Sequence, residues 1–214
     1  MQRWIMALPL MMGLAACQTD TATEPARPIT TTTAAGRPVI VEATGDYRQA
    51  ASGMIFPEAL PGYRRSAVIS YDPSGLDISA NYRSGPGQLP LLSVYVYPAL
   101  QGAKPGSDAS RRCDEHFTSV KTQVPIGNPS LRFIGDRETA VLKSGWTIQG
   151  RFAEYKGSFQ AGAMGSRAYL FCNDASPWVV KIRFSYPEGT DADGTIRAVL
   201  DALPWPVKAM DGTV

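Results

Sequence analysis

The feature that most constrains the fold is a period-two alternation of apolar and polar side chains that recurs along the chain. Ile78, Ala80 and Tyr82 alternate with Asp77, Ser79, Asn81 and Arg83, and Val180, Ile182 and Phe184 alternate with Val179, Lys181, Arg183 and Ser185. Successive side chains of a strand point to opposite faces, so the pattern specifies strands of an antiparallel sheet with one apolar face. The same reading covers Ser66 to Tyr71, Leu91 to Tyr97, Leu131 to Leu142, Thr147 to Tyr155 and Ala163 to Cys172. Asp72-Pro73-Ser74-Gly75 separates the first two strands as a turn, proline presetting its φ and glycine closing it.

The period changes twice. Ala109, Cys113, His116, Phe117 and Val120 fall at helical spacings, which predicts a helix from about Asp108 to Thr122 with Cys113 and Phe117 facing inward. A second helix is predicted over about Gly194 to Ala202, capped by Asp193 and stopped by Pro204-Trp205-Pro206, since proline cannot continue it. The order is β-β-β-α-β-β-β-β-α, an α+β fold with an antiparallel sheet of about six or seven strands and two helices packed on it. This element order, over roughly residues 55 to 206, resembles PsbP-like α+β domains of small secreted or lumenal proteins. The resemblance implies a fold and transfers no binding or catalytic residue.

The N-terminus carries an address. Met1-Gln2-Arg3 is a short basic start, Trp4 to Leu14 is almost wholly apolar, and Leu14-Ala15-Ala16-Cys17 closes the segment. That layout is a secretory signal, too short for the roughly 20 residues of a lasting transmembrane helix. Leu14-Ala15-Ala16-Cys17 resembles the lipobox of bacterial lipoproteins. The resemblance implies cleavage after Ala16, a thioether-linked lipid on Cys17 and a further acyl chain on the new amino group. It also implies, with Gln18 rather than Asp after the cysteine, sorting to an outer membrane facing the periplasm. Two or more acyl chains hold a protein firmly, each buried methylene contributing about 0.8 kcal/mol. Residues 17–45 then read as the acylated cysteine and a flexible Thr/Ala/Pro tether, including Thr30-Thr31-Thr32-Thr33, and residues 46–214 as one globular domain. A tether of that length reaches on the order of 30 Å.

With Cys17 used by lipid, Cys113 and Cys172 remain as an even pair in an oxidising compartment. A disulfide between them would staple the first helix to the sheet; two separate buried thiols are the alternative, because sequence cannot show that the side chains meet.

Several chemistries find no support in the residues. Without Arg3, 20 basic residues face 19 acidic ones, with no basic stripe of the kind that tracks nucleic acid. His116 is the sole histidine, which rules out a multi-histidine metal site, and it reads as a packing residue. No serine stands in a G-x-S-x-G elbow, no C-x-x-C occurs, and Gly85-Pro86-Gly87 lacks the third glycine of a dinucleotide fingerprint. Asp191-Ala192-Asp193-Gly194 begins like a calcium loop but lacks its closing glutamate, and helix capping accounts for it. The doublets Arg64-Arg65 and Arg111-Arg112 read as a solvated face. No cofactor and no metal is expected.

One positive candidate is a set of aromatics opposite the expected core, Tyr95 and Tyr97 on one strand and Tyr169 and Phe171 on another. If those strands are neighbours, they form an aromatic platform for a partner or ligand; the alternative is a second layer of core. The expectation is a non-enzymatic, membrane-anchored envelope lipoprotein whose domain binds a protein partner or an envelope polymer. The alternative is a carrier or sensor of a small apolar ligand held between sheet and helices, which would need an enclosed cavity.

Overall fold

A computed structural model describes residues 37–99, 109–143, 145–160, 162–172 and 177–205; for 109–112 and Trp146 the backbone alone is described. In chain order the elements are β1 (Val39–Val41), β2 (Tyr47–Arg48), β3 (Ile55–Phe56), β4 (Ala59–Leu60), β5 (Tyr63–Ser70), β6 (Ile78–Arg83), β7 (Leu91–Pro98), α1 (Ala109–Gly127), β8 (Arg132–Lys143), β9 (Trp146–Phe159), β10 (Gly162–Cys172), β11 (Trp178–Pro187) and α2 (Ala192–Ala202). Nine strands form one antiparallel sheet in the order β1-β5-β6-β7-β11-β10-β9-β8, with β4 paired to β5, and β2 and β3 form a small separate ribbon. The chain is therefore α+β with two helices among the described residues, as its periodicity requires. Its main sheet has more strands than the six or seven expected.

The extra strands are short. Val39-Ile40-Val41 lies in the segment read as tether, yet it pairs with Val68 to Ser70 of β5 and so brings ordered structure forward of residue 46. Three β-branched residues fit an exposed backbone edge, and Val41 packs partly against the core. Arg65, read as part of a solvated doublet, instead ties this N-terminal region down. Its guanidinium donates to the carbonyls of Phe56 at 2.5 Å, Ala43 at 3.2 Å and Gly45 at 2.5 Å. Gln49, 1% exposed, does the same from the other side, donating to the Gly75 carbonyl at 2.9 Å and accepting from Ser52.

After β7 the chain crosses one face of the sheet through α1, enters β8 at the far edge, and returns by the meander β8-β9-β10-β11 to pair with β7. α1 thereby covers one face, where Phe117, Val120 and Val124 pack on Ala153, Tyr155, Ala168, Leu170 and Val179. α2 covers the other face, where Ile196, Val199 and Leu200 meet Tyr169, Phe171, Val180, Ile182 and Phe184 together with Met54, Phe56 and Tyr63. The centre of the sheet is thus buried on both sides.

α1 runs five residues past Thr122, through Pro125. Proline supplies no N–H for the carbonyl four residues before it, which is that of Lys121. The Tyr155 hydroxyl donates to that carbonyl at 3.2 Å, so the sheet supplies the missing bond. Tyr155→Phe leaves the carbonyl unpaired and is expected to cost about 1 to 2 kcal/mol in a denaturant titration. A loss within 0.2 kcal/mol of zero, an order-of-magnitude bound for a water-satisfied carbonyl, would mean that water replaces the hydroxyl. α2 is capped by Asp191, whose carboxylate accepts from the Gly194 amide at 2.9 Å, and not by Asp193. Asp193 is instead drawn to Arg167 at 2.6 Å.

Candidate functional site

The four aromatics of the expected platform do not share a face. Lys181 of β11 pairs with Tyr95 on one side and Leu170 on the other, which sets Tyr95 and Tyr97 on the α1 face. Ile182 pairs with Val94 and Tyr169, which sets Tyr169 and Phe171 on the α2 face. β11 also lies between the two strands. Tyr95, Tyr169 and Phe171 are buried and Tyr97 is half-buried, so an open aromatic platform is replaced by two covered layers. The reason is the helix on each face: alternation distinguishes the two faces of a strand but not which of them is roofed. On the α2 side the rings form a continuous stack, Phe152 to Tyr169 at 4.9 Å, Tyr169 to Phe171 at 6.4 Å and Phe171 edge-on to Trp205 at 4.9 Å. Gly150 permits this, because a Cβ there would overlap the Phe171 ring.

Cys113 and Cys172 are brought together as a disulfide, their Cα atoms 6.2 Å apart, which joins the first part of α1 to the end of β10. Cys17 lies outside the described residues.

What α1 covers is polar as well as aromatic. Lys181 and Arg183, two residues apart on β11, are half-buried beneath the helix with Tyr95. The Lys181 ammonium stands 4.2 Å from the centre of the Tyr95 ring and 5.6 Å from that of Tyr97. Tyr97 in turn shares a 2.6 Å hydrogen bond with His116 Nε2, and the two rings meet edge to face. Burial, with the Lys181 charge nearby, lowers the His116 pKa to about 4, so the imidazole is neutral and held by Tyr97. Burial likewise lowers Lys181 to about 8, partly opposed by Asp77, whose own carboxyl burial raises to about 6. Sequence reading missed this cluster; the signal was two cations at alternating positions of a strand whose neighbour carries tyrosines at the same parity.

The lowered Lys181 pKa has a signed consequence. Above about pH 8 the folded chain releases a proton that the unfolded chain holds to about 10.5. The unfolded state binds more protons in that window, so stability rises with pH there, by at most about 1.4 kcal/mol per unit. Tyr95 and Tyr97, raised by burial, oppose this only around pH 10 and above. Unfolding measured between about pH 8 and 10 is expected to show this rise in the native chain and a flatter profile in Lys181→Met. Equal slopes would remove Lys181 as the cause.

Two other features are open to solvent. A polar cleft of about 250 Å³ lies at the start of α2, lined by Glu154, Lys156, Arg167, Tyr186, Glu188 and Asp193 among others. Its buried cation, Arg167, is already held by Asp193 at 2.6 Å and Glu154 at 3.4 Å. The second feature is β8, a 12-residue strand that among the described residues pairs only with β9 and so lies at an edge of the sheet. It exposes Phe133, Ile134 and Leu142 by 50%, 55% and 71%, with a register irregularity between Phe133 and Gly135. Arg137 and Glu138 lie between these apolar ends.

Among the described residues no group of three or more His, Cys, Asp or Glu side chains is arranged to hold a metal ion, and no helix is long and apolar enough to cross a membrane. The class defined by these observations is a disulfide-bridged α+β domain with an antiparallel sheet roofed on both faces. No family model matches the chain, and no curated protein matches it in sequence. Among solved structures, it is similar to the solution structure of cyanobacterial PsbP (CyanoP) from Synechocystis sp. PCC 6803. The identity is 15% and the TM-score 0.42, over 83% of this chain and 96% of that one. The likeness is too distant to carry a function.

Proposed function

We propose that this protein is a non-enzymatic lipoprotein of the bacterial envelope, anchored through Cys17, whose domain docks an extended segment of another envelope protein along β8. The observation that carries the docking is the exposed edge. Its outer backbone groups have no strand partner among the described residues, and Ile134 and Leu142 are exposed towards its two ends. An edge of this kind takes up an added strand through main-chain hydrogen bonds, while side-chain pockets at alternate positions choose the partner. The charges of Arg137 and Glu138 at mid-strand guard against indiscriminate pairing, as edge charges commonly do. The anchor rests on the Leu14-Ala15-Ala16-Cys17 sequence.

The carrier alternative needs an enclosed apolar chamber. A small cavity under α1 is lined by Lys181 and Arg183 as well as apolar groups, and the cleft at the start of α2 by charged groups, and neither is an enclosed apolar chamber.

A photoreactive residue placed at Leu142 or at Ile134 in living cells tests the docking, with exposed Arg197 on α2 as the control position. The expected result is one discrete protein adduct from the β8 positions and none from Arg197. No adduct at β8, or the same adducts at all three positions, would overturn it.

A further inference from the structure

We propose that the cavity between α1 and the sheet binds a small inorganic anion, of the size of a halide, between Lys181 and Arg183. The cavity is about 20 Å³ and is lined by Lys181 and Arg183 of β11, Tyr95 of β7, Ala168 of β10, and Val120, Gln123 and Val124 of α1. Among the described residues, no carboxylate lies within ion-pair distance of either cation. The ion pairs described involve Lys121, Arg137, Arg151 and Arg167. Asp77 acts on Lys181 through space without touching it, and Arg183 is felt mainly by the hydroxyls of Tyr95 and Tyr155.

Two like charges on one strand face, partly withdrawn from water and roofed by a helix, repel each other and have lost hydration. The Tyr95 ring offsets part of that cost for Lys181 by a cation–π contact, and among the described residues no ring stands over Arg183 in the same way. A water molecule would fit the space, but its dipole cannot neutralise two cations. A single negative ion of about the same size, sited between the two charges, would offset both. The space beside the two cations accommodates about one water-sized sphere, which suits a monatomic anion.

The test is thermal unfolding of the full-length protein at fixed ionic strength, with gluconate replaced stepwise by chloride. An ion that binds only the folded state raises the midpoint, here by about 4 °C at tens of dissociation constants. In Arg183→Met, which keeps the side-chain bulk and removes one charge, the rise is expected to shrink to below about 1 °C. A midpoint indifferent to chloride in the native chain overturns the proposal, and so does a rise that persists in the variant, since the ion then binds elsewhere. A bromide-soaked crystal decides independently of any variant. An anomalous peak in contact with both Lys181 and Arg183 supports the site, and its absence there overturns it.

Discussion

Replacing both Cys113 and Cys172 by alanine is expected to lower the free energy of unfolding by about 4 kcal/mol. The figure is the entropy of closing the loop that the disulfide spans, 59 residues of sequence separation, in the chain-entropy account. The cost should not be fully recovered by repacking, because the face of the sheet that α1 covers is apolar only in part. Phe117, Val120 and Val124 are the buried apolar anchors of the helix among its described side chains, while Lys181 and Arg183 lie beneath it. The variant is therefore expected to loosen at α1 before the sheet, with amides of α1 exchanging with solvent ahead of those in β10 and β11. Equilibrium denaturation with and without a reducing agent measures the total, and hydrogen exchange locates it. A loss below about 1 kcal/mol would show that packing alone holds α1.

Phe171→Ala is expected to cost about 3 to 5 kcal/mol, the range for deleting a fully buried aromatic ring. Phe171 is 0% exposed, packed between Tyr169 and Trp205 and lying over Gly150. Gly150 offers no side chain that could move in, and Trp205 is held by its own 3.1 Å hydrogen bond to the Leu200 carbonyl, so the space stays open. The experiment separates the two readings of this residue sharply. A docking aromatic on an open face would cost almost nothing in stability and much in binding, whereas a core ring does the reverse. A midpoint in denaturant unchanged by the substitution would restore Phe171 to the surface.

The alternation that specifies β5 to β7 and β8 to β11 was legible because each strand carries its period in its own residues. The same is true of the turn at Asp72 to Gly75, and of Cys113 standing on the inner side of α1 with Phe117. What escaped was whatever depends on a second element. Val39 to Val41 carries no alternation and follows a polar stretch, so only the free edge of β5 makes it a strand. Helix α1 outruns its sequence signal because Tyr155, over 30 residues away, serves the carbonyl that Pro125 leaves unpaired. The faces of Tyr95 and Tyr169 could not be assigned, since alternation says which residues point together and not which side a helix will cover. The Lys181 and Arg183 pair was visible only as two polar positions alternating with Val180, Ile182 and Phe184. Its partial burial follows only from where α1 crosses the sheet.

Everything proposed about a partner presumes that the domain is held at a membrane surface in the envelope, which rests on Cys17. Intact-mass spectrometry of the protein extracted from membranes in detergent tests this most directly. The account predicts a chain that begins at Cys17 and carries the added mass of a diacylglycerol, with or without one further acyl chain. A mature chain beginning at any other residue, or an unmodified Cys17, would contradict it.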